Sequence, residues 1–64
     1  MARAKPATHR VIAPFGLNLR TEPSKGAEIV RVLADGESVT ERKAQAPDGW
    51  LAVEGGYVMR DYVE

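Results

Sequence analysis

Residues 49–64 read GWLAVEGGYVMRDYVE, and they decide how this chain folds. They hold its only Trp, both of its Tyr, and a Gly55-Gly56 pair between two apolar runs. Trp50 to Val53 is rich in apolar and β-forming residues, so it is expected to be a strand. Glu54, Gly55 and Gly56 turn the chain back, and Tyr57 to Met59 form the return strand. Side chains alternate along a strand, so Leu51 and Val53 share one face while Trp50 and Ala52 share the other. With Leu51 and Val53 in the core, Trp50 is at least partly exposed. Asp61 is placed to cap a single helical turn just before the end.

The same strand-and-turn rhythm continues upstream. Residues 8–12 form a first candidate strand, stopped near Pro14. Leu17 and Leu19 alternate with Asn18 and Arg20, the mark of a strand with one buried face. Residues 21–28, TEPSKGAE, form a loop, since Pro23, Ser24 and Gly26 are turn residues. Ile29 to Leu33 is β-branched and apolar, and Asp35-Gly36 after it is a short hairpin signal. Residues 38–44 then read as the return strand of that hairpin, polar enough to be an edge. Residues 46–49, APDG, supply the next turn. No window carries the i, i+3, i+4, i+7 pattern of an amphipathic helix.

Five or six short strands with turns every ~8–12 residues point to an all-β sandwich or barrel. The 64 residues are too few for a two-sheet immunoglobulin sandwich of about 100. The expected fold is therefore a small, strongly bent barrel, with closure protecting most strand edges. Its expected core is Leu17, Leu19, Ile29, Leu33, Val39, Leu51, Val53 and Val58. Val30 and Val32 cannot both join Ile29 and Leu33 inside unless a bulge intervenes.

Composition narrows the function classes. There is no Cys, and one His cannot make a zinc site, which takes about four N or S ligands. The barrel must stand on its apolar core or on assembly with neighbours, because a domain this small buries only ~60% of its unfolded surface. Net charge is zero but uneven: residues 1–20 carry Arg3, Lys5, Arg10 and Arg20 with no acid, and the remainder is net negative. Residues 1–7 are expected to be a basic N-terminal arm and residues 8–64 the barrel domain. No secretory signal is seen at the start, and no run approaches the ~20 apolar residues of a membrane helix. The expected setting is cytoplasmic or within a virion, with no membrane partner. No metalloprotease, phosphate-loop or dinucleotide motif occurs. His9 is the sole His and lies in the N-terminal segment, far in sequence from Ser24, so nothing recommends a Ser/His nucleophile. A non-enzyme without cofactors is expected.

Several segments resemble bacterial SH3-like domains. LNLRTEPS, residues 17–24, is similar to their Leu-Asn-Val-Arg-Ser-Gly-Pro-Ser opening. IVRVLADGESV is similar to the hairpin that follows, DGWLAV to their Gly-Trp strand, and GGYVMRDYVE to their closing Gly-Trp-Val segment. The resemblance covers roughly three-quarters of the chain, in order. Tyr57 stands where the family often has Trp. Glu22 stands where it often has Gly, which implies a loop built without positive φ there. The resemblance implies an SH3-like barrel of five or six strands with one helical turn near the C-terminus, and binding in place of catalysis. Relatives of this kind attach enzymes to bacterial cell walls, bind peptides or serve as assembly modules.

Two uses follow. In the first, the chain is a stand-alone docking or structural subunit, for example of a phage or prophage particle, associating with itself or with a larger virion protein. The absence of a leader and of a catalytic partner domain favours this expectation. In the second, it binds a peptide or cell-wall peptidoglycan through an aromatic groove. Resemblance to eukaryotic SH3 domains places Trp50 and Tyr62 at the peptide groove, with Met59 at the position of their Pro. Trp50, Met59 and Tyr62 then make an apolar shelf, with Phe15 beside it or packed under a loop; the alternative is that Trp50 only covers one end of the barrel. Glu22 and Glu28, in the flanking loop, either meet basic ligand residues or belong to a solvated loop. Arg20 is expected to form a structural ion pair with Glu22, Asp35 or Asp61, or else to anchor a ligand carboxylate. Nucleic-acid binding by the basic arm ranks last.

Overall fold

The computed structural model describes residues 8–64. The expected basic arm, residues 1–7, lies outside the described residues. Six strands follow in order: β1 (Thr8–Arg10), β2 (Leu17–Arg20), β3 (Ile29–Leu33), β4 (Ser38–Thr40), β5 (Trp50–Val53) and β6 (Gly56–Met59). A single 3-10 turn, Arg60–Tyr62, ends the series. Four strands form one antiparallel sheet in the order β3-β2-β6-β5, and β1 pairs with β4 in a second. Two isolated bridges join these sheets into a barrel: Glu41 to Val53, and Val11 to Val63.

The β5–β6 hairpin forms as the alternation requires, with Trp50 opposite Met59 and Leu51 opposite Val58. Its inward residues Leu51, Val53 and Val58 join Leu17, Leu19, Leu33 and Val39 in the core. Three further residues fill it: Val11, Ala13 and Val63. Val11 and Val63 face each other where the first and last described segments meet, and Val11 is fully buried. No local pattern announces this, because the pairing spans almost the whole chain.

Ile29 is not in the core. Its exposure is 46%, and Val30 and Val32 are exposed too, so Leu33 alone buries from β3. The cause is a register shift: Leu19 pairs with Arg31, but Arg20 pairs with Ile29, leaving Val30 as an extra residue. A bulge of one residue reverses which face the following residues occupy. Ile29 therefore shares the outer face with Arg20.

The Asp35-Gly36 turn does not make a β3–β4 hairpin. The turn itself forms, with the Glu37 N–H donating to the Ala34 carbonyl at 3.0 Å. The Gly36 N–H then donates to the Val11 carbonyl at 2.7 Å, and Val11 donates to Glu37 at 2.9 Å. These bonds carry the chain onto β1, so β4 pairs with β1 and β3 is left as an open edge. A shallow cleft of about 150 Å³ marks the gap, lined in part by Leu19, Leu33 and Val39. Strand β4 is also shorter than expected, although residues 40–42 continue along β5.

Asp61 does not cap the helical turn. Met59 occupies the N-cap position with no side-chain hydrogen bond, and Asp61 lies inside the turn. No described residue other than Gly has positive φ, so the loop containing Glu22 is built as expected.

Candidate functional site

Trp50 and Met59 are brought together because they are opposite partners in the β5–β6 ladder. The Arg60 N–H donates to the Gly49 carbonyl at 2.8 Å, which holds the start of the 3-10 turn against the start of β5. Tyr62 belongs to that turn and is 44% exposed. Trp50 and Met59 are half-buried, and Met59 packs partly on the core. Each ring or thioether thus rests on the barrel while keeping a surface to solvent.

The other two candidates lie elsewhere. Phe15 is wholly exposed and joins no aromatic shelf, nor does it pack under a loop. It sits in the tight turn closed by the Gly16 N–H to the Ala13 carbonyl, 2.8 Å. A Cβ on Gly16 would come within 2.7 Å of Val32 on β3, so this turn abuts the margin of the sheet opposite to β5. Glu22 is exposed in the loop after β2. That loop is closed by the Thr21 N–H to the Glu28 carbonyl and by Ala27 to Ser24.

Arg20 forms no ion pair among the described residues, against the expectation of Glu22, Asp35 or Asp61 as its partner. Its Nη1 donates to the Ala27 carbonyl at 3.0 Å and so braces the loop. Among the described residues the ion pairs are Arg10 with Glu64 and Arg31 with Glu37, while His9 Nε2 and Glu41 Oε1 share a hydrogen bond at 2.9 Å. Arg31 hydrogen bonding, helped by the Ala34 N–H, holds the Glu37 carboxyl below the usual carboxylate range.

The arrangement is that of a small barrel with an apolar patch at one sheet margin. A sequence model of the bacterial SH3 domain matches residues 16–64, which include β2 through β6 and the terminal turn. The chain belongs to the bacterial SH3 domain family. No curated protein and no solved structure matches it significantly. Membership of this family points to a module that binds protein or cell-wall material. Among the described residues no group of three or more His, Asp or Glu gathers to hold a metal ion. No helix among them is long and apolar enough to cross a membrane.

Two residues of this region escaped sequence reasoning. The Arg42 guanidinium lies over the Tyr57 ring, 4.8 Å from its centre. Its Nε donates to the Val53 carbonyl at 2.7 Å and its Nη2 to the Gly56 carbonyl at 3.3 Å. The available signal is alternation: Arg42 is three residues past buried Val39, which puts it on the outer face.

Proposed function

We propose that this bacterial SH3 domain docks an extended peptide on the surface made by Trp50, Met59 and Tyr62. The observation that supports this is the direct Trp50–Met59 pairing, with the Tyr62 turn held against the start of the same strand. Large side chains with one apolar face free suit a ligand that offers alternate side chains or proline rings. Their positions are set by the β5–β6 ladder, so little ordering entropy is lost on binding. Chemical-shift mapping with Pro-rich peptides and with peptidoglycan fragments tests it. The expected result is perturbation at the Trp50 indole and at Tyr62 by one of the two. Silence at both residues with every probe overturns the reading.

A second use has its own support. Ile29, Val30 and Val32 expose apolar side chains on the open edge strand β3, and Phe15 stands nearby. An edge strand with free backbone groups is a template for a further strand. In this reading the domain is a structural subunit, of a phage or prophage particle for example, that docks through β3 to itself or to a larger protein. Light scattering after size exclusion checks self-association, and a strict monomer at high concentration removes that form of it.

A further inference from the structure

On the outer face of the main sheet the pairing lines up one row of residues across the strands. Ile29 pairs with Arg20, Arg20 with Tyr57, and Tyr57 with Ala52. The row then reaches Arg42, whose N–H donates to the Ala52 carbonyl at 3.1 Å. Leu19, Val58, Leu51 and Val53 alternate with these residues and point into the core. Tyr57 therefore has Arg20 beside it on β2 and Arg42 one position beyond Ala52 on its other side, and the Arg42 guanidinium folds back over its ring.

Both arginines are half-buried, and neither has a carboxylate partner among the described residues. Residues 1–7 contain no Asp or Glu, so no acid of the chain is missing from this account. Their hydrogen bonds go to main-chain carbonyls alone: Ala27 for Arg20, Val53 and Gly56 for Arg42. A guanidinium has five N–H donors, so each retains donors after these bonds. The chain has nine acidic side chains and brings none within 4 Å of either guanidinium, while it pairs Arg10 and Arg31 at the surface. Two partly desolvated cations without a counter-charge attract an external anion, and the planar fork suits a carboxylate. A polyanion suits the site poorly, because residues 21–64 are net negative.

We infer that Arg20 and Arg42, on either side of Tyr57, take the carboxylate of a peptide ligand. This deepens the docking reading above and rests on it. The Trp50–Met59 pair is two residues along the same ladder, about 7 Å away, on the same face. One ligand then sets an apolar group on Trp50 and its carboxylate on the arginine row. The carboxylate comes either from a free C-terminus or from an acidic side chain.

The test uses the intact chain, with the Nε–H signals of Arg20 and Arg42 followed by NMR. Four probes are titrated: acetyl-Ala-Pro-Ala as free acid, the same peptide as its amide, acetyl-Asp amide and acetyl-Asn amide. The expected result is a shift of both arginine signals by an acid probe and none by its amide counterpart. The free peptide acid acting alone assigns a C-terminal carboxylate, and acetyl-Asp amide acting assigns an acidic side chain. Arg20→Gln should weaken that probe about tenfold, as for a lost charge-assisted hydrogen bond. Arg42 also braces the hairpin, so the wild-type signals carry the test if Arg42→Gln does not fold. Acid and amide peptides that shift Trp50 alike with both arginines silent overturn the arginine site and leave the docking surface standing. Arginine shifts from acetyl-Asp amide, with Trp50 silent to every peptide, uphold the anion site and overturn the shared ligand.

Discussion

The Arg42 guanidinium stacks on the Tyr57 ring while its Nε and Nη2 donate to the carbonyls of Val53 and Gly56. One side chain thereby satisfies both strand ends at the β5–β6 turn and covers the aromatic ring beside it. Stacking of this kind contributes ~0.5–2 kcal/mol, depending on how far the pair is desolvated. Arg42→Ala is expected to cost about 2 kcal/mol, because two carbonyls also lose a charged donor. Arg42→Lys should recover only a small part, since an ammonium lacks the planar fork that serves stacking and both carbonyls together. The shift of the urea midpoint at constant slope measures each cost.

Gly56 is the tightest point of the seam between β2 and β6. A Cβ there would fall on the Arg20 carbonyl oxygen, which is main chain and cannot swing aside. Gly56→Ala is expected to cost about 3 kcal/mol, at the upper end for overpacking. Thermal unfolding followed by circular dichroism would show it. A variant as stable as wild type would mean that the two strands part more easily than their packing implies.

The core predicts opposite outcomes for two aliphatic residues. Val11 is fully buried and Ile29 is nearly half exposed. Val11→Ala should cost about 2 kcal/mol, through lost burial and the cavity it leaves. Ile29→Ala should stay within about 0.5 kcal/mol, as surface substitutions do. Denaturant titration of the two variants side by side decides. Equal losses would count against the bulge at Val30.

Glu37 links stability to pH. Its Oε2 accepts from Arg31 Nη2 at 2.5 Å and its Oε1 from the Ala34 N–H at 3.0 Å, which together lower its pKa in the folded state. Between the folded and unfolded values the unfolded chain binds more protons, so stability rises with pH there. This contribution is complete above the unfolded carboxylate value and is lost as pH falls through the lowered folded one. NMR titration of the Glu37 carboxyl should give a midpoint below that of an ordinary glutamate, and Glu37→Gln should flatten the acid side of the stability profile.

Much of the fold is legible in the order of residues. The runs LNLR, IVRVL, WLAV and the YVM run after Gly56 read as strands, and are strands, because alternation and turn residues are local signals. Seven of the eight expected core residues are buried, and Ile29 is the exception. It fails because one bulged residue changes the facing of all that follow, and a bulge depends on the partner strand. The Asp35-Gly36 pair is a turn, as its residues require, but not the tip of a hairpin. Two residues can reverse a chain, while the bonds to Val11 choose which strand receives it. Of the site residues, Trp50 and Met59 are legible as a pair from the hairpin alone. Phe15 is not placeable, since its one-turn loop carries no periodicity.

The order of apolar and turn residues by itself determined that this chain is a β protein of five or six short strands, because strand formation and chain reversal answer to neighbours a few positions away. Only the tertiary structure decided that β4 crosses to β1, that Val11 and Val63 close the barrel, and that Arg20 and Arg42 stand across Tyr57 without an acid. Those facts depend on contacts between residues distant in the chain, and their free energy exists only once the whole barrel has assembled.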